Sequence, residues 1–404
     1  MARVTPPHYK APPRFSKGRR QSPGPPDHWT GENLPGSRSR PAAARSISET
    51  AWQDLWMQHQ WRAGQPSLSV VIPTHQRRSR LPDVLAPLLA DEQIDQVVVV
   101  VDGSDDGSFE WLCRKAAADP RLSPLARERR GGAQVARAHG LEHANGDVVL
   151  FLDDDVVASP GLAGRHLNRH LGRTGLVVVG YMPVEPRAPR RPGQFASYLY
   201  GDEYEGRCRA YETDPGSILR TLWWGNVSMR RDDARSVGLV APGFESLYHE
   251  DQDFGLRCAE AGLAGVFDRS LQAQHLHGRE LGAFVRDARS QGMGRVLVHD
   301  RHPDLMGPLD PSAFESGLPR PAALLVRASG HEWIAKSSSA VLRAATRSFG
   351  MLGRYGAETD AARLLRRVNQ RYGAETAWRS LARGDDRPTP VETTRSPSRD
   401  GGRR

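Results

Sequence analysis

Short, nearly continuous runs of apolar residues are the feature of this sequence that most restricts its fold. Four of them stand out, at residues 67–73 (SLSVVIP), 97–101 (VVVVV), 148–152 (VVLFL) and 176–181 (LVVVGY). Runs of this length without polar alternation are typical of strands buried on both faces, as in parallel sheets covered by helices. Helices predicted at residues 81–90 and 133–144 separate the first three runs. The pattern therefore predicts an α/β fold with a mostly parallel sheet and flanking helices.

Three carboxylates, Asp153, Asp154 and Asp155, directly follow the third run. In open α/β sheets, ligands bind outside the carboxyl ends of the strands, and neighbouring acids repel one another there unless a cation binds. Oxygen ligands of this kind suit Mg²⁺ or Mn²⁺, and either ion would in turn bridge to a phosphate. The alternative is a solvated acidic turn, because aspartate is common in turns.

Two common nucleotide-binding motifs are absent from the sequence. No G-x-G-x-x-G follows the early strands, and no G-x-x-x-x-G-K-[ST] occurs, so neither a nicotinamide-binding fingerprint nor a P-loop is present. Any nucleotide bound at the strand ends would have its phosphate charge met by a metal ion in place of a glycine-rich helix start.

The positive charge lies mainly in the two ends of the chain. Of the net charge of +9, residues 1–65 carry +6 and residues 383–404 carry +2, which leaves about +1 for the rest. A folded basic cleft is not implied, and no specific nucleic-acid partner is expected, although binding through the basic tails is an alternative. The sequence shows no transmembrane run and no secretory signal, so we expect a cytoplasmic protein, with peripheral membrane association as a further option.

Composition also predicts five segments. Residues 1–47 form a basic, proline-rich tail that we expect to be disordered, and residues 48–65 a short tryptophan-rich helix. This helix would dock on its own domain, on a protein partner or on a membrane surface. The main folded domain is placed at 66–300, a helical extension at 301–382 and a disordered tail at 383–404.

The helical extension contains one short repeat. Its helices are predicted at residues 321–328, 332–349, 359–370 and 375–382. The sequence RYGAET occurs at 354–359 and again at 371–376. Because glycine commonly follows the last residue of a helix, we expect one helix to end and another to begin near the second copy.

Three groups of residues in the second half of the main folded domain are candidate site residues. Trp223 and Trp224, followed by Asn226, form either core or a flat platform for a sugar ring. Glu250 and Asp251 precede a helix, where acids often serve only to compensate the helix dipole. A pair of alternate histidines, at 275 and 277, lies on one side of an extended segment and offers potential metal ligands.

Several motifs together resemble those of family 2 glycosyltransferases in order and spacing. They are PTHQR at 73–77, VVDGSDDGS at 100–108, the segment 132–140 with Arg137, FLDDDV at 151–156, WGNVSMRR at 224–231 and HEDQDFGLRCAEAG at 249–262. The resemblance covers about residues 67–292. It implies the GT-A fold, a Rossmann-like, mostly parallel sheet, and transfer of a sugar from a nucleotide-diphosphate donor to an acceptor hydroxyl with inversion. The acceptor, a glycan, lipid or small molecule, stays open.

The resemblance also implies roles for individual residues. Asp251 would be the catalytic base, and Asp155 and His275 would bind Mn²⁺ or Mg²⁺, with His277 the rival of His275. The nucleotide-sugar would contact Pro73, Thr74, Asp102, Arg137, Asp153 and Asp154. The acceptor or sugar would contact Trp223, Trp224, Asn226 and Glu250. One departure is Val101, where many relatives carry a second aspartate before Asp102. A non-catalytic scaffold that binds nucleotide or glycan is the alternative function.

Overall fold

A computed structural model describes residues 66–184, 189–241, 243–244 and 247–384 of the chain. These residues belong to the second of the two units into which the chain divides, Met1–Gln60 and Trp61–Arg404. The predicted N-terminal tail, the tryptophan-rich helix and the C-terminal tail from residue 385 onward lie outside the described residues. The five predicted segment boundaries stay predictions.

The described residues form one eight-stranded sheet with the order β3-β2-β1-β4-β7-β6-β8-β5. The strands are β1 Leu68–Thr74, β2 Gln96–Asp102, β3 Leu122–Arg127, β4 Val148–Leu152, β5 Val156–Ala158, β6 Leu176–Tyr181, β7 Asn226–Arg230 and β8 Ala264–His275. Strands β1 to β4 run parallel, as do β6 and β8. Strand β7 runs antiparallel between β4 and β6, and β5 is antiparallel to the end of β8. The predicted mostly parallel α/β sheet is confirmed.

Full burial explains why the sequence shows apolar runs in place of alternation. The four runs correspond to β1, β2, β4 and β6, and every residue of the first three of these strands is buried. Two apolar clusters lie on the two faces of the sheet. The carboxyl ends of β1, β2 and β4 therefore reach one edge together, and the antiparallel β7 brings its first residue, Asn226, to the same edge opposite Leu152.

Helices cover the sheet and extend beyond it. They are α1 Leu81–Leu89, α2 Ser108–Ala116, α3 Ala133–His143, α4 Leu162–His170, α5 Phe195–Thr213, α6 Ser217–Arg220, α7 Arg231–Val237, α8 Glu250–Glu260, α9 Leu281–Arg301, α10 Pro303–Met306, α11 Arg320–Ala328, α12 Glu332–Met351 and α13 Tyr355–Ala382, with a 3₁₀ turn at Pro311–Phe314. Among the described residues, no helix combines the length and the apolar character needed to cross a membrane.

The helical extension is present, but one predicted break in it is wrong. Residues 355–382 form the single helix α13, which runs through Gly373 in the second RYGAET copy. A Cβ at Gly373 would lie 2.0 Å from the carbonyl oxygen of Arg289 on α9, and one at Gly292 would lie 1.9 Å from the carbonyl oxygen of Gln370. The second glycine is there because two helices approach closely, and not because a helix ends.

Candidate functional site

The site residues predicted from the sequence gather at the carboxyl edge of the sheet. Thr74 and Asp102 are the last residues of β1 and β2, and Asp153 to Asp155 follow β4 directly. Strand β5 pairs with the end of β8 so that Val156 lies opposite His275. Helix α8 begins with Glu250 and Asp251 in its first turn, rather than after them as the sequence suggested.

The side chains of Asp155 and His275 contact each other at this edge. The Nε2 atom of His275 lies 3.3 Å from an Asp155 carboxylate oxygen, and the backbone N–H of Leu276 donates to the Asp155 carbonyl at 2.7 Å. Arg77 and Arg80 lie 3.9 and 4.0 Å from the same carboxylate. Burial would raise the pKa of Asp155, but the His275 hydrogen bond and the charges of His275, Arg77 and Arg80 lower it to about 2. Asp155 is therefore ionised, as a cation ligand must be.

The spacing of these two side chains suits a divalent cation. Adjacent ligands of an octahedral ion at about 2.1 Å lie roughly 3.0 Å apart, close to the distance between His275 and Asp155. Mixed nitrogen and oxygen donors fit Mn²⁺ better than Mg²⁺. Within the described part of the chain, the strand-edge acids do not form a cluster of three potential metal ligands. One such cluster among the described residues occurs elsewhere, formed by His139, Glu142 and His143 on the surface of α3.

Arg137 connects the strand-edge acids with those of α8. This buried side chain donates a hydrogen bond of 2.5 Å to Asp153, and its other terminal nitrogen lies 3.9 Å from Glu250. Its guanidinium also lies over the ring of Trp224 at 5.0 Å. Its Nε and Nη1 atoms have no hydrogen-bond acceptor among the described residues. Buried donors of this kind are costly unless a further acceptor is bound, so Arg137 is suited to an anionic ligand.

Asp154 and Thr74 hydrogen-bond to each other. The Thr74 hydroxyl donates to Asp154 at 2.8 Å, and this bond ties the end of β1 to the residue that follows β4 by two positions. Burial and the neighbouring Asp155 charge raise the pKa of Asp154 to about 6. Pro73, the other predicted nucleotide contact on β1, is buried in the strand.

Asp102 uses both carboxylate oxygens within the protein. It accepts hydrogen bonds from Arg127 at 2.6 Å and from the backbone N–H groups of Gly131 and Gly132 at 2.7 to 3.0 Å. A Cβ at Gly103 would lie 2.5 Å from the Arg130 nitrogen, so glycine permits this close approach of the loop. Asp102 thereby fixes the loop that leads into α3.

Glu250 and Asp251 are adjacent acids in the first turn of α8. His249 before them has a left-handed backbone, with φ of 73°, which is uncommon for a residue with a side chain and recurs at functional sites. Burial raises the pKa of both acids, and the charge of Asp251 raises that of Glu250 further. Arg207 and the Gln252 N–H partly offset the effect at Asp251. Raised carboxylate pKa values favour proton transfer near neutral pH.

Aromatic side chains stack beside Asp155 and His275. Tyr200 lies between Trp223, at a ring distance of 5.3 Å, and His277, at 4.4 Å. Burial and the charges of Asp153, Asp155 and Asp251 raise the pKa of Tyr200 well above its usual value. The sequence predicted Trp223 but missed Tyr200, Tyr204 and Arg207 on α5. Their spacing of four and three residues, on one helix face, was the available signal.

Trp224 and Asn226 lie in the core, turned from this stack. Trp224 packs between Phe151 and Phe254 at ring distances of 5.2 and 4.9 Å. Asn226 is 1% exposed: its amide oxygen accepts from His166 at 2.9 Å, and its amide nitrogen donates to the Leu271 carbonyl at 2.8 Å. The structure gives both residues a role in packing the sheet edge.

His277, the rival metal ligand, is held away from Asp155. Its Nδ1 atom faces the Ser197 hydroxyl at 3.4 Å, and the Ser197 hydroxyl donates to its carbonyl at 2.9 Å. Burial and the nearby His275 lower its pKa to about 3. Of the two histidines, His275 is the one that contacts the strand-edge acids.

Comparison with known proteins places the chain in a family. Residues 69–234 match the sequence model of the family described as glycosyl transferase family 2. An uncharacterized glycosyltransferase of Haemophilus influenzae is 31% identical over 238 residues, which cover 58% of this chain and 82% of that protein. The uncharacterized glycosyltransferase YfnE of Bacillus subtilis is 26% identical over 255 residues, which cover 51% of this chain and 64% of that protein.

A solved structure supports the same fold. The chain is similar to the mannosyltransferase PcManGT of Pyrobaculum calidifontis, determined with GDP-Man and Mn²⁺, with a TM-score of 0.50, 16% identity and coverage of 78% of this chain and 92% of that one. The sheet and its flanking helices are those of the GT-A class of glycosyltransferases. The chain belongs to glycosyltransferase family 2, as its motifs indicated. It spans less than two thirds of the length of the Bacillus relative.

Proposed function

We propose that this protein is an inverting, metal-dependent glycosyltransferase that moves a sugar from a nucleotide-diphosphate donor to an acceptor hydroxyl. The observation that carries the proposal is the position of Arg137, 2.5 Å from Asp153 and 3.9 Å from Glu250. It makes the strand-edge acids and the α8 acids two halves of one site. Donor binding and proton transfer would then take place side by side.

The donor half of the site comprises residues of β1, β2 and β8, of the loop after β4 and of α3. Asp155 and His275 would hold Mn²⁺ or Mg²⁺, an assignment supported by their separation of 3.3 Å and by the low pKa of Asp155. When bound, the cation would stabilise charge on the departing diphosphate. Thr74 and Asp102 stand at the ends of β1 and β2, where the nucleoside would lie, with Pro73 in the strand beneath. Arg137 would add positive charge toward the diphosphate through its unpaired N–H groups.

The acceptor half contains the proton-transfer residue. Asp251 would accept the proton of the acceptor hydroxyl as that oxygen attacks the anomeric carbon, while the bond from this carbon to the diphosphate breaks on the opposite face. A single displacement of this kind inverts the anomeric configuration. Trp223, stacked on Tyr200, offers an aromatic surface for a sugar ring. Glu250, Trp224 and Asn226 would hold the acceptor half of the site in place through their contacts within the protein.

Thermal denaturation with a panel of nucleotide-diphosphate sugars tests the donor half. We expect one donor to raise the melting temperature only with Mn²⁺ or Mg²⁺, because a ligand of the native state stabilises it. Asp155→Ala should abolish this metal-dependent shift, which is measured relative to the variant's own melting temperature without ligand. Asp304→Ala, which removes an exposed carboxylate on α10, is the control and should keep the shift. A shift retained in Asp155→Ala would remove Asp155 from the metal site. A donor that binds without being hydrolysed or transferred would favour a non-catalytic scaffold.

A further inference from the structure

The most exposed large apolar side chains of the described residues lie together on α11 and α12. Leu324, Trp333, Val341, Met351 and Leu352 are 63 to 74% exposed, whereas the other exposed large apolar residues reach only 37 to 41%. Four of the five belong to α12 or its C-terminal cap. Such clustering on one element is unlike the scattered apolar residues of an ordinary protein surface.

Helix α12 buries mainly small or polar residues, at Ala335, Ser339, Thr346 and Gly350. Of its large apolar residues, Trp333, Val341 and Met351 are exposed, whereas Leu342 packs against the core. At about 100° per residue, an arc of roughly 100° on the exposed side contains Ser337 and Ser348 together with five apolar residues, Trp333, Ala340, Val341, Ala344 and Met351. We call these five residues the α12 stripe. It runs most of the length of a 20-residue helix, about 30 Å.

Positive charge accompanies the α12 stripe. Lys336, Arg343 and Arg347 share a narrow arc along one margin of it, by the same helical geometry. Residues 320–354 hold six Lys or Arg against one acid, a net charge of +5, whereas residues 66–382 as a whole carry about +1. Lys336 pairs with Glu332 at 2.6 Å and Arg327 with Glu315 at 2.7 Å, whereas neither Arg343 nor Arg347 makes an ion pair with another described residue. Unpaired basic charge therefore lies beside the most exposed large apolar side chains of the described residues.

We propose that the α12 stripe and its basic margin dock on an anionic lipid bilayer, with α12 lying in the plane of the membrane interface. A helix with one apolar face, a terminal tryptophan and lysine and arginine at its margin is the arrangement that binds such interfaces. Anionic headgroups match the local charge of +5. This surface is separate from the N-terminal segment of residues 48–65, and it does not depend on the proposed catalytic function.

Vesicle flotation with the full-length protein tests the apolar part of the proposal. Wild type should bind vesicles of phosphatidylcholine and phosphatidylglycerol, and the triple variant Trp333→Ser, Val341→Ser, Met351→Ser should bind at least about tenfold more weakly. Leu171→Ser with Leu305→Ser, at two exposed leucines outside α11 and α12, is the matched control and should bind as wild type does. Because the substituted side chains are exposed, all variants should keep their melting temperature.

Two further measurements separate the contribution of the basic margin from the insertion of Trp333 into the bilayer. Arg343→Gln and Arg347→Gln should each weaken binding roughly fivefold, and the loss should disappear at high salt. Arg114→Gln and Arg286→Gln, on α2 and α9, are the charge controls. Brominated lipids should quench wild-type tryptophan fluorescence more than that of Trp333→Phe.

Three outcomes would overturn the proposal. One is absence of vesicle binding by the wild type. Another is binding that the triple variant retains in full, which would assign membrane association to a different segment. The last is a concentration-dependent dimer in sedimentation velocity that the triple variant converts to a monomer without any vesicle binding, which would make the α12 stripe an interface between two copies of the chain.

Discussion

Glu250 and Asp251 are adjacent in the chain but have different neighbours. Glu250 lies 3.9 Å from Arg137, which is itself bound to Asp153, whereas Asp251 accepts the backbone N–H of Gln252 at 2.9 Å and is influenced by Arg207. Two carboxylates in contact with different charges are suited to different roles, one in positioning and one in proton transfer.

Replacing Asp251 by asparagine tests the assignment of the base. Asp251→Asn keeps the shape of the side chain but cannot take up the acceptor proton, so kcat should fall by about 10² to 10⁴ while donor affinity stays level. Glu250→Gln is the control and should lose less. A larger loss in Glu250→Gln, measured under the same saturating conditions, would transfer the role of base to that residue.

The pH dependence of turnover gives an independent readout of the same residue. Burial raises the pKa of Asp251 above the ordinary aspartate range. A base acts only when deprotonated, so kcat should fall as the pH drops through this raised pKa and should be constant above it. In Asp251→Asn the residual rate should lose this acidic limb. A wild-type profile that stays flat down to the ordinary pKa of aspartate would exclude Asp251 as the base.

Asn226 illustrates how a plausible binding residue serves the core. It accepts a hydrogen bond from His166 and donates one to Leu271, both in buried surroundings. Asn226→Ala would leave the ring N–H of His166 and the backbone carbonyl of Leu271 unpaired, so the free energy of unfolding should fall by about 2 to 3 kcal/mol. Urea denaturation measures the loss, and Asn168→Ala, at an exposed position of α4, should change stability by less than about 0.5 kcal/mol. If Asn226→Ala were as stable as wild type but had a raised KM for acceptor, the residue would belong to the acceptor site.

At the scale of elements, the two RYGAET copies occupy different environments on one helix. A Cβ at Gly356 would meet nothing within 4 Å, whereas one at Gly373 would lie 2.0 Å from the Arg289 carbonyl oxygen. The same six residues therefore begin α13 in the first copy and permit its contact with α9 in the second. Identical local sequence has acquired two functions through the position of a neighbouring helix.

This difference predicts opposite effects of one substitution. Gly373→Ala should destabilise the protein by about 1 to 3 kcal/mol, because the backbone must move to admit the methyl group. Gly356→Ala should leave stability unchanged or raise it by up to about 1 kcal/mol, because alanine favours the helix. Both variants are compared by thermal and urea denaturation. Equal effects would contradict the close approach of α9 and α13.

At the scale of the whole molecule, two buried histidines connect the layers of the fold. His170 donates to the Ser228 hydroxyl at 2.8 Å, this hydroxyl donates to His166 at 2.8 Å, and His166 in turn donates to Asn226. In this arrangement the ring of His166 is neutral, because its Nδ1 accepts from Ser228 while its Nε2 donates to Asn226. Burial lowers the pKa of His166 to about 3 and that of His170 to about 4.

These histidines should make the fold sensitive to acid. In the unfolded chain they take up protons below about pH 6.5, but in the native state they do not. Their contribution to stability is thus complete above pH 6.5 and is lost as the pH falls toward the native pKa values, by up to about 1.4 kcal/mol per pH unit for each histidine. Melting temperatures measured between pH 6.5 and the native pKa values of the two histidines give the slope of stability against pH. His170→Gln should reduce it, and His331→Gln, at an exposed position, should not. A slope unaffected by His170→Gln would mean that other groups cause the acid sensitivity.

The sequence by itself determined the central strands and the acidic edge. The apolar runs of β1, β2, β4 and β6 are legible because strands buried on both faces need apolar residues at every position. The aspartates that follow β4 and the order of the family motifs placed Thr74, Asp102 and Asp155 at one edge of the sheet, because carboxyl ends of parallel strands meet there. These conclusions depend only on residues close together in the chain.

Only the tertiary structure decided which side chains face one another. Arg137 and Glu250 are 113 positions apart in the chain, and Asn226 and His166 are 60 apart, so no local pattern predicts either contact. The same holds for Gly373 against Arg289, and for α12, which buries Ala335 and Ser339 while Trp333, Val341 and Met351 are exposed. Periodicity gives the face of an element on which a residue lies. What covers that face depends on elements distant in sequence, and this decides whether a residue binds a ligand, packs the core or meets solvent.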